Sequence, residues 1–439
     1  MDVNDIHVTF LYFCHENMRV LIVNTAERTG GAAIAANRLM HALNHNGVEA
    51  QMLVRDRMSD APMVNAIAPS WRLRTKFLWE RGVIWLANGL SRRNLFQVDI
   101  ANAGTDITSL DAFQQADVIH LHWVNQGFLS LKNLEHIMAS GKPVVITLHD
   151  QWYFTGICHY AGECERYKSQ CYRCPMLTSG GIGIDLARRV FNRKLNIYQD
   201  KNLAFVGCSR WMAELASQSV LTRGHLVTNV PNAIDAEVFR PMDRQEARQR
   251  HHLPEDMRLM LFGAQRITDP RKGFAYLQEA CGHLTKHHPD LAQRLGVVVL
   301  GGDAQDVKSA LPFPVYAVDY LSDEREIAQL YNAVDLFVTP SLQDNLPNTI
   351  VEAMSCGAPC VGFNVGGIPE MIDHEQNGYV ARYCDSSDLA DGIAWCLADE
   401  RRHASLSHQA RDKALATYGE AAVARGYIDI YHRLLNGNQ

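Results

Sequence analysis

Short β-branched and leucine-rich runs, alternating with longer stretches of helical composition, narrow the folds open to this chain more than any other feature. The runs predict strands at 19–24 (RVLIVN), 50–54 (AQMLV), 117–121 (DVIHL), 143–148 (PVVITL) and 203–207 (LAFVG). A second series follows at 258–263 (RLMLFG), 296–300 (GVVVL), 315–318 (VYAV), 335–339 (DLFVT) and 359–363 (PCVGF). They are apolar almost throughout rather than alternating, as parallel strands covered on both faces are. Strand–helix alternation of this kind builds doubly wound α/β domains. At 439 residues the chain is too long for one such core. Residues 229–241 carry two prolines and little periodicity, and they read as a connection between domains. We therefore expect a first Rossmann-like domain over 1–235, with a leader at 1–17 and a cysteine-rich insert at 150–178. The second is expected over 236–439, with its last helix a candidate to return to the first domain.

Charge and cysteine content exclude some functions. A formal net charge of -6 argues against a nucleic-acid binder, because neutralising phosphates needs a basic face. The early apolar run VTFLYF is soon interrupted by His15, Glu16 and Arg19, so no secretory signal is read there. No run reaches the length of a bilayer span. The expectation is a cytoplasmic protein, or one at the inner face of the membrane, with its eleven cysteines reduced.

Several groups of residues fall just beyond predicted strands, where open α/β sheets bind ligands. Gly30 and Gly31 precede an alanine-rich helix, whose N-terminus offers free N–H groups to an anion. They do not form GxGxxG, so no dinucleotide site is indicated. Arg266 and Lys272 follow strand 258–263 and suit a departing phosphate, though a solvated basic loop reads equally well from this stretch alone. After strand 335–339, Asp344 lies in a loop and Glu352 in the helix that Pro347 begins, with Asn345 a candidate cap. Asp344 suits sugar hydroxyls and Glu352 a ribose diol; the alternative for Glu352 is an acid favoured by the helix dipole. Gly366-Gly367-Ile368-Pro369-Glu370 follows strand 359–363.

In this order, together with Val230-Pro231-Asn232-Ala233-Ile234-Asp235 and Phe239, these residues resemble the GT-B glycosyltransferases of the large retaining family 4 (glycosyltransferase group 1), of the bacterial polysaccharide-biosynthesis type. The likeness runs from about Met18 to beyond 425. It implies two Rossmann-like domains facing a cleft, and transfer of a sugar from a nucleotide diphosphate sugar to a glycan or lipid-linked acceptor with retention of configuration. The implied setting is exopolysaccharide or lipopolysaccharide biosynthesis. Arg266 and Lys272 would bind the donor diphosphate, Glu352 the ribose, and Asp344 the transferred sugar. His149, at the end of strand 143–148, would sit beside donor and acceptor. Gly30, Gly31, Leu321, Asn345, Leu346, Asn348 and Thr349 complete the nucleotide-sugar set. Asp344 stands where the family usually has Glu, and Asn345-Leu346-Pro347-Asn348 replaces a glycine-rich stretch. Pro347 removes a backbone donor there, for which Asn345, Asn348 or Thr349 would substitute. No DxD pair stands at a strand end, so neither a metal nor another cofactor is expected in catalysis.

Two segments fall outside this scheme. Cys158, Cys164, Cys171 and Cys174 are spaced C-x5-C-x6-C-x2-C; structural zinc is one reading, disulfides or buried thiols the others. Residues 71–96 mix Trp71, Phe77, Trp79, Trp85 and Phe96 with Arg72, Arg74, Lys76, Arg81, Arg92 and Arg93. They read either as a packed helix pair with solvated arginines or as a peripheral membrane contact. The rival functions are a GT-B phosphorylase or epimerase, a catalytically silent sugar-nucleotide binding or scaffold subunit, and an NAD-dependent oxidoreductase.

Overall fold

The computed structural model describes residues 18–67, 70–177 and 185–437. The leader 1–17, the end of the cysteine-rich insert at residue 178, and the side chains of Trp71 and Arg72 lie outside the described residues.

Two parallel sheets form the framework. The first has the order β3-β2-β1-β4-β5-β6-β7. Its strands are β1 (Arg19–Ala26), β2 (Glu49–Asp56), β3 (Val64–Ala66), β4 (Val118–Leu121), β5 (Val144–Leu148), β6 (Leu203–Gly207) and β7 (Leu226–Asn229). The second has the order β10-β9-β8-β11-β12-β13. It contains β8 (Arg258–Arg266), β9 (Leu295–Gly302), β10 (Val315–Val318), β11 (Leu336–Thr339), β12 (Cys360–Phe363) and β13 (Gly378–Ala381). The central strands β4, β5, β11 and β12 are buried at every residue, which is why their sequences are apolar apart from His120, Thr147 and Thr339. In each sheet the strand order reverses once, between β1 and β4 and between β8 and β11. Such a reversal opens a crevice at the carboxyl ends of the strands.

β8 is longer than its apolar core predicts. A register irregularity between Gly263 and Arg266 lets pairing with β9 resume, so Arg266 is the last strand residue, opposite Gly302, rather than part of a loop. The short strands β3, β7 and β13 are not among the predicted runs.

The chain crosses between the sheets twice, and the crossings touch. Ile234 pairs with Gly419 in a parallel bridge and donates its N–H to Tyr418 O at 2.9 Å. After the first crossing, the helix Arg244–Arg250 joins the second sheet: the Arg248 guanidinium donates to Ala333 O and to the buried Asp335 carboxylate, each at 2.9 Å. After the second, the last helix, Glu420–Leu435, packs its Val423, Ala424, Tyr427, Tyr431 and Leu434 into the first domain's core beside α1 (Gly31–His45). Tyr431 and Tyr427 hydroxyls reach His120 and Thr147 at 2.7 and 2.8 Å.

The insert after β5 is part of the first domain's core rather than an appendage without one. Trp152, Tyr153, Phe154, Ile157 and Tyr167 are buried in the same cluster as the sheet residues. Lys194 is fully buried beneath them. Its ammonium lies 3.5 Å from the Trp152 ring centroid and donates to the carbonyls of Trp152, Thr155 and Gly156.

Candidate active site

The cleft between the sheets is lined from both sides by loops at strand carboxyl ends. On the second domain, three loops dock on one another through backbone contacts that only glycine permits. The turn Pro270–Lys272 is capped by Asp269 and closed by Gly273 at φ 74°. A Cβ at Gly273 would lie 1.8 Å from Pro340 O, and one at Gly366 (φ 60°) 1.8 Å from Asp344 O. The loops after β8, β11 and β12 are thereby fastened together. Lys272 Nζ consequently donates to Asp344 Oδ2 at 2.7 Å. Arg266 stands at the mouth with its side chain 75% exposed, 3.7 Å from Asp303.

The facing wall belongs to the first domain. His149 follows β5, and its Nε2 lies 2.8 Å from His122 Nδ1. Its Nδ1 lies 3.5 Å from Cys208 Sγ. One proton serves the His122–His149 contact, so one ring donates and the other accepts. Burial pushes His149 down to about 4 and His120 to about 3, which keeps this wall neutral near pH 7. Its neighbour behaves oppositely. Burial disfavours charge on His159, but Asp150 at 2.7 Å, helped by Asp99, outweighs it and raises the imidazole to about 10. Asp150 also accepts from the Trp123 indole at 2.9 Å, which ties the insert to the β4 loop.

The loop between Asp344 and Glu352 joins the two walls, and here several expectations change. Asn345 does not cap the following helix, Asn348–Ser355; Pro347 occupies the cap position. The Asn345 amide instead donates to Leu148 O and His149 O at 2.9 and 3.2 Å and accepts from Ser209 Oγ at 2.6 Å. Its side chain is thus committed to the facing domain, not offered to a ligand. Asn348 donates to Gly31 O at 3.1 Å and accepts from Asn232 at 2.9 Å, which sets its helix N-terminus against that of α1. Leu346 is buried in the second domain's core, and Leu321 packs half-buried against it, leaving their backbones as the available groups. Thr349 is half-buried in the first turn of the helix. The Glu370 carboxylate accepts from the N–H groups of Arg210 and Trp211 at 2.8 and 2.7 Å, at the start of a first-domain helix.

Glu352 has an unexpected partner. Its Oε1 accepts from Arg38 Nη2 at 2.8 Å, and its Oε2 from the Tyr331 hydroxyl at 3.2 Å. Arg38 comes from α1 in the other domain, reaches Glu324 at 2.6 Å, and lies over the Phe239 ring at 4.9 Å. A single arginine in a helix otherwise rich in alanine, buried with Ala33, Ala35 and Ala36, was the available signal for it.

Cys158, Cys164, Cys171 and Cys174 lie close enough in the insert to act on one another electrostatically. Among the described residues no group of three or more His, Cys, Asp or Glu is arranged to hold a metal ion. All four thiols are free; Cys158, Cys171 and Cys174 are buried in the core, and Cys164 packs at its edge. Cys158 and Cys174 hydrogen-bond to one another, while Cys171 Sγ accepts from Gly156 N at 3.2 Å.

With this geometry in view, comparison with known proteins is informative. Residues 258–399 match the family of glycosyl transferases group 1. The second domain thus carries that family's signature. A D-inositol 3-phosphate glycosyltransferase of Stackebrandtia nassauensis is 32% identical over 223 residues, covering 45% of this chain and 50% of that protein. The chain spans about half the length of the curated relatives it matches first. Sucrose-phosphate synthase from Thermosynechococcus elongatus superposes with a TM-score of 0.67 over 96% of this chain and 100% of its own, at 17% identity. Anabaena Alr3699/HepE, solved with UDP and glucose, gives 0.60 over 94% and 99%, also at 17%. The fold is GT-B: two Rossmann-like α/β domains facing a cleft.

Proposed function

We propose that the chain is a glycosyltransferase that takes a sugar from a nucleotide diphosphate sugar and places it on a glycan or lipid-linked acceptor, with retention of configuration and without a metal. The Lys272–Asp344 pair, fastened at the junction of three loops and next to Asn345, which bonds the His149 carbonyl, is the observation that carries this reading. Breaking the anomeric carbon–oxygen bond leaves positive charge on the sugar and negative charge on the diphosphate. Fixed cations aimed at the leaving oxygen stabilise that separation more than they stabilise the bound donor. Lys272, Arg266 and the facing N-termini of α1 and the helix Asn348–Ser355 supply such a field. The acceptor oxygen forms the new bond on the face the phosphate leaves, and its proton passes to the departing phosphate.

Asp344 then has two roles: it orients Lys272 before the donor arrives and accepts from sugar hydroxyls afterwards. Glu352 holds the ribose diol; a carboxylate retains free lone pairs beside the Arg38 and Tyr331 bonds. His149, neutral at pH 7, serves as a hydrogen-bond partner to the sugar rather than as an acid, with a sugar hydroxyl taking the place of the long Cys208 contact at its Nδ1. The relatives named for glycosyl transfer, and the UDP and glucose bound to one structural neighbour, support a nucleotide sugar donor. Polysaccharide or lipopolysaccharide assembly at the inner membrane face is the setting we assign.

A panel of nucleotide sugars screened by thermal shift tests donor binding, because a ligand of the native state raises its melting temperature. Acceptor-dependent release of nucleoside diphosphate, undiminished by chelator, is expected with the donor that binds. The anomeric configuration of the product, read by NMR, tests retention. Donor binding without any release would instead favour a silent binding subunit.

A further inference from the structure

We propose that the outward face of α2 (Ser70–Ala87) and the loop that follows it dock on an anionic lipid bilayer. The helix is apolar on two sides: Leu73 and Ile84 are buried in the first domain's core, and a second apolar side is left in solvent. Its charged residues Glu80 and Arg81 point inward, where Glu80 accepts from the N–H groups of Ile100 and Ala101 and Arg81 pairs with Asp99 at 3.0 Å. Leu78, Trp79, Trp85 and Leu86 occupy the opposite face, with Trp79 65% and Leu86 61% exposed. Their spacing is that of one side of a helix. The loop extends this surface with exposed Leu90 and Phe96. It is held beside the helix by Arg81 donating to Leu95 O and Val98 O, by Asn88 donating to Ser91 O and Arg93 O, and by stacking of Phe96 on Phe77.

Charge selects the occupant. Over residues 70–97 the only acid is Glu80, which is buried. Arg74, Arg92 and Arg93 are exposed, so the formal charges this surface presents are positive. Two tryptophans and three leucines rimmed by arginine match an interface of acyl chain and negative headgroup, where indoles and snorkelling cations both find partners. Among the described residues no helix is long and apolar enough to cross a membrane, so the contact is peripheral.

The helix that carries this surface packs with its inner side on the first-domain wall of the cleft. A Cβ on Gly127, in the segment after β4, would lie 2.6 Å from Phe77 N, so α2 packs directly on that segment. From Arg81 a chain of contacts runs through Asp99, His159 and Asp150 to Trp123 beside His149. Docking is independent of the transfer reading; only the consequence that an acceptor anchored in the bilayer is brought to the cleft rests on it.

Vesicle flotation tests the proposal with two preparations, phosphatidylcholine alone and phosphatidylcholine mixed with phosphatidylglycerol. The full chain is expected to float with the mixed vesicles and to be released by high salt. The double variant W79S/L86S is expected to lower partitioning by about tenfold or more by removing buried apolar area. R92E/R93E is expected to abolish the preference for anionic vesicles. Circular dichroism and nucleotide-sugar thermal shift should be unchanged in both variants, which separates failure to dock from failure to fold or to bind donor. Absence of flotation with mixed vesicles, or flotation that both variants retain, would overturn the proposal. So would a dimer in solution that W79S/L86S dissociates while the parent chain ignores vesicles, because the surface would then belong to a second copy.

Discussion

The two walls of the cleft are built on opposite electrostatic plans. The first-domain wall is finished in itself: His120, His122 and His149 are held by hydroxyls, by one another and by burial, with His120 and His149 driven toward neutrality. The second-domain wall is charged and partly open, with Arg266 in solvent and Lys272 borrowing Asp344 as its counter-ion. A neutral wall suits a sugar, whose hydroxyls need oriented but uncharged partners. A charged wall suits a group whose negative charge grows during reaction. The division of labour therefore predicts that damage to one wall is read in turnover and damage to the other in stability.

The sharpest break comes from the charged wall. K272A and R266A should each lower turnover by about two to three orders of magnitude, the usual cost of removing a donor aimed at developing charge. Melting temperatures should move little, since both side chains are partly or largely exposed and such pairs contribute about 0–1 kcal/mol. Next in size is Arg38, which bridges the walls. R38A strands Glu352 beside Tyr331 and should destabilise the protein by about 3 kcal/mol, the cost of leaving a buried charge unpaired. Denaturant titration measures this, and R38A/E352Q should recover part of the loss.

The neutral wall makes a pH prediction. His149 and His120 fall from an ordinary 6.5 to about 4 and about 3, so between those values the unfolded chain binds protons that the native chain does not. Their stabilisation is complete above pH 6.5 and is lost as pH falls toward 4. His159, raised to about 10, contributes stability that is complete below 6.5 and lost as pH rises toward 10. Denaturant midpoints followed against pH should give a dome, with H149N flattening its acid side and H159N its alkaline side. The smallest effect belongs to Asp303: D303N should change stability by no more than about 1 kcal/mol, because its contact with Arg266 at 3.7 Å is exposed.

How legible each wall is in the sequence follows from the same division. The parallel sheets can be read because their central strands are buried on both faces and leave apolar runs with few interruptions. Lys272 and Asp344 can be placed near the cleft because each follows such a run. Arg38 cannot be paired in advance: its acids lie 286 and 314 residues away, and only the meeting of two domains joins them. Asn345 has the composition of a helix cap, and local propensity has no access to the facing carbonyls of Leu148 and His149 that claim it. The insert's cysteines suggest a metal staple by spacing alone, whereas Trp152, Tyr153 and Phe154 supply a core that spacing does not reveal. The length of β8 depends on a register irregularity that its apolar run cannot announce.

A crystal structure of the protein with the nucleoside diphosphate of its donor tests the central claim most directly. Lys272 Nζ and the Arg266 guanidinium are expected within hydrogen-bonding distance of the diphosphate oxygens, with Glu352 on the ribose. A nucleotide seated elsewhere in the cleft, with both cations still turned to Asp344 and Asp303, would contradict the account.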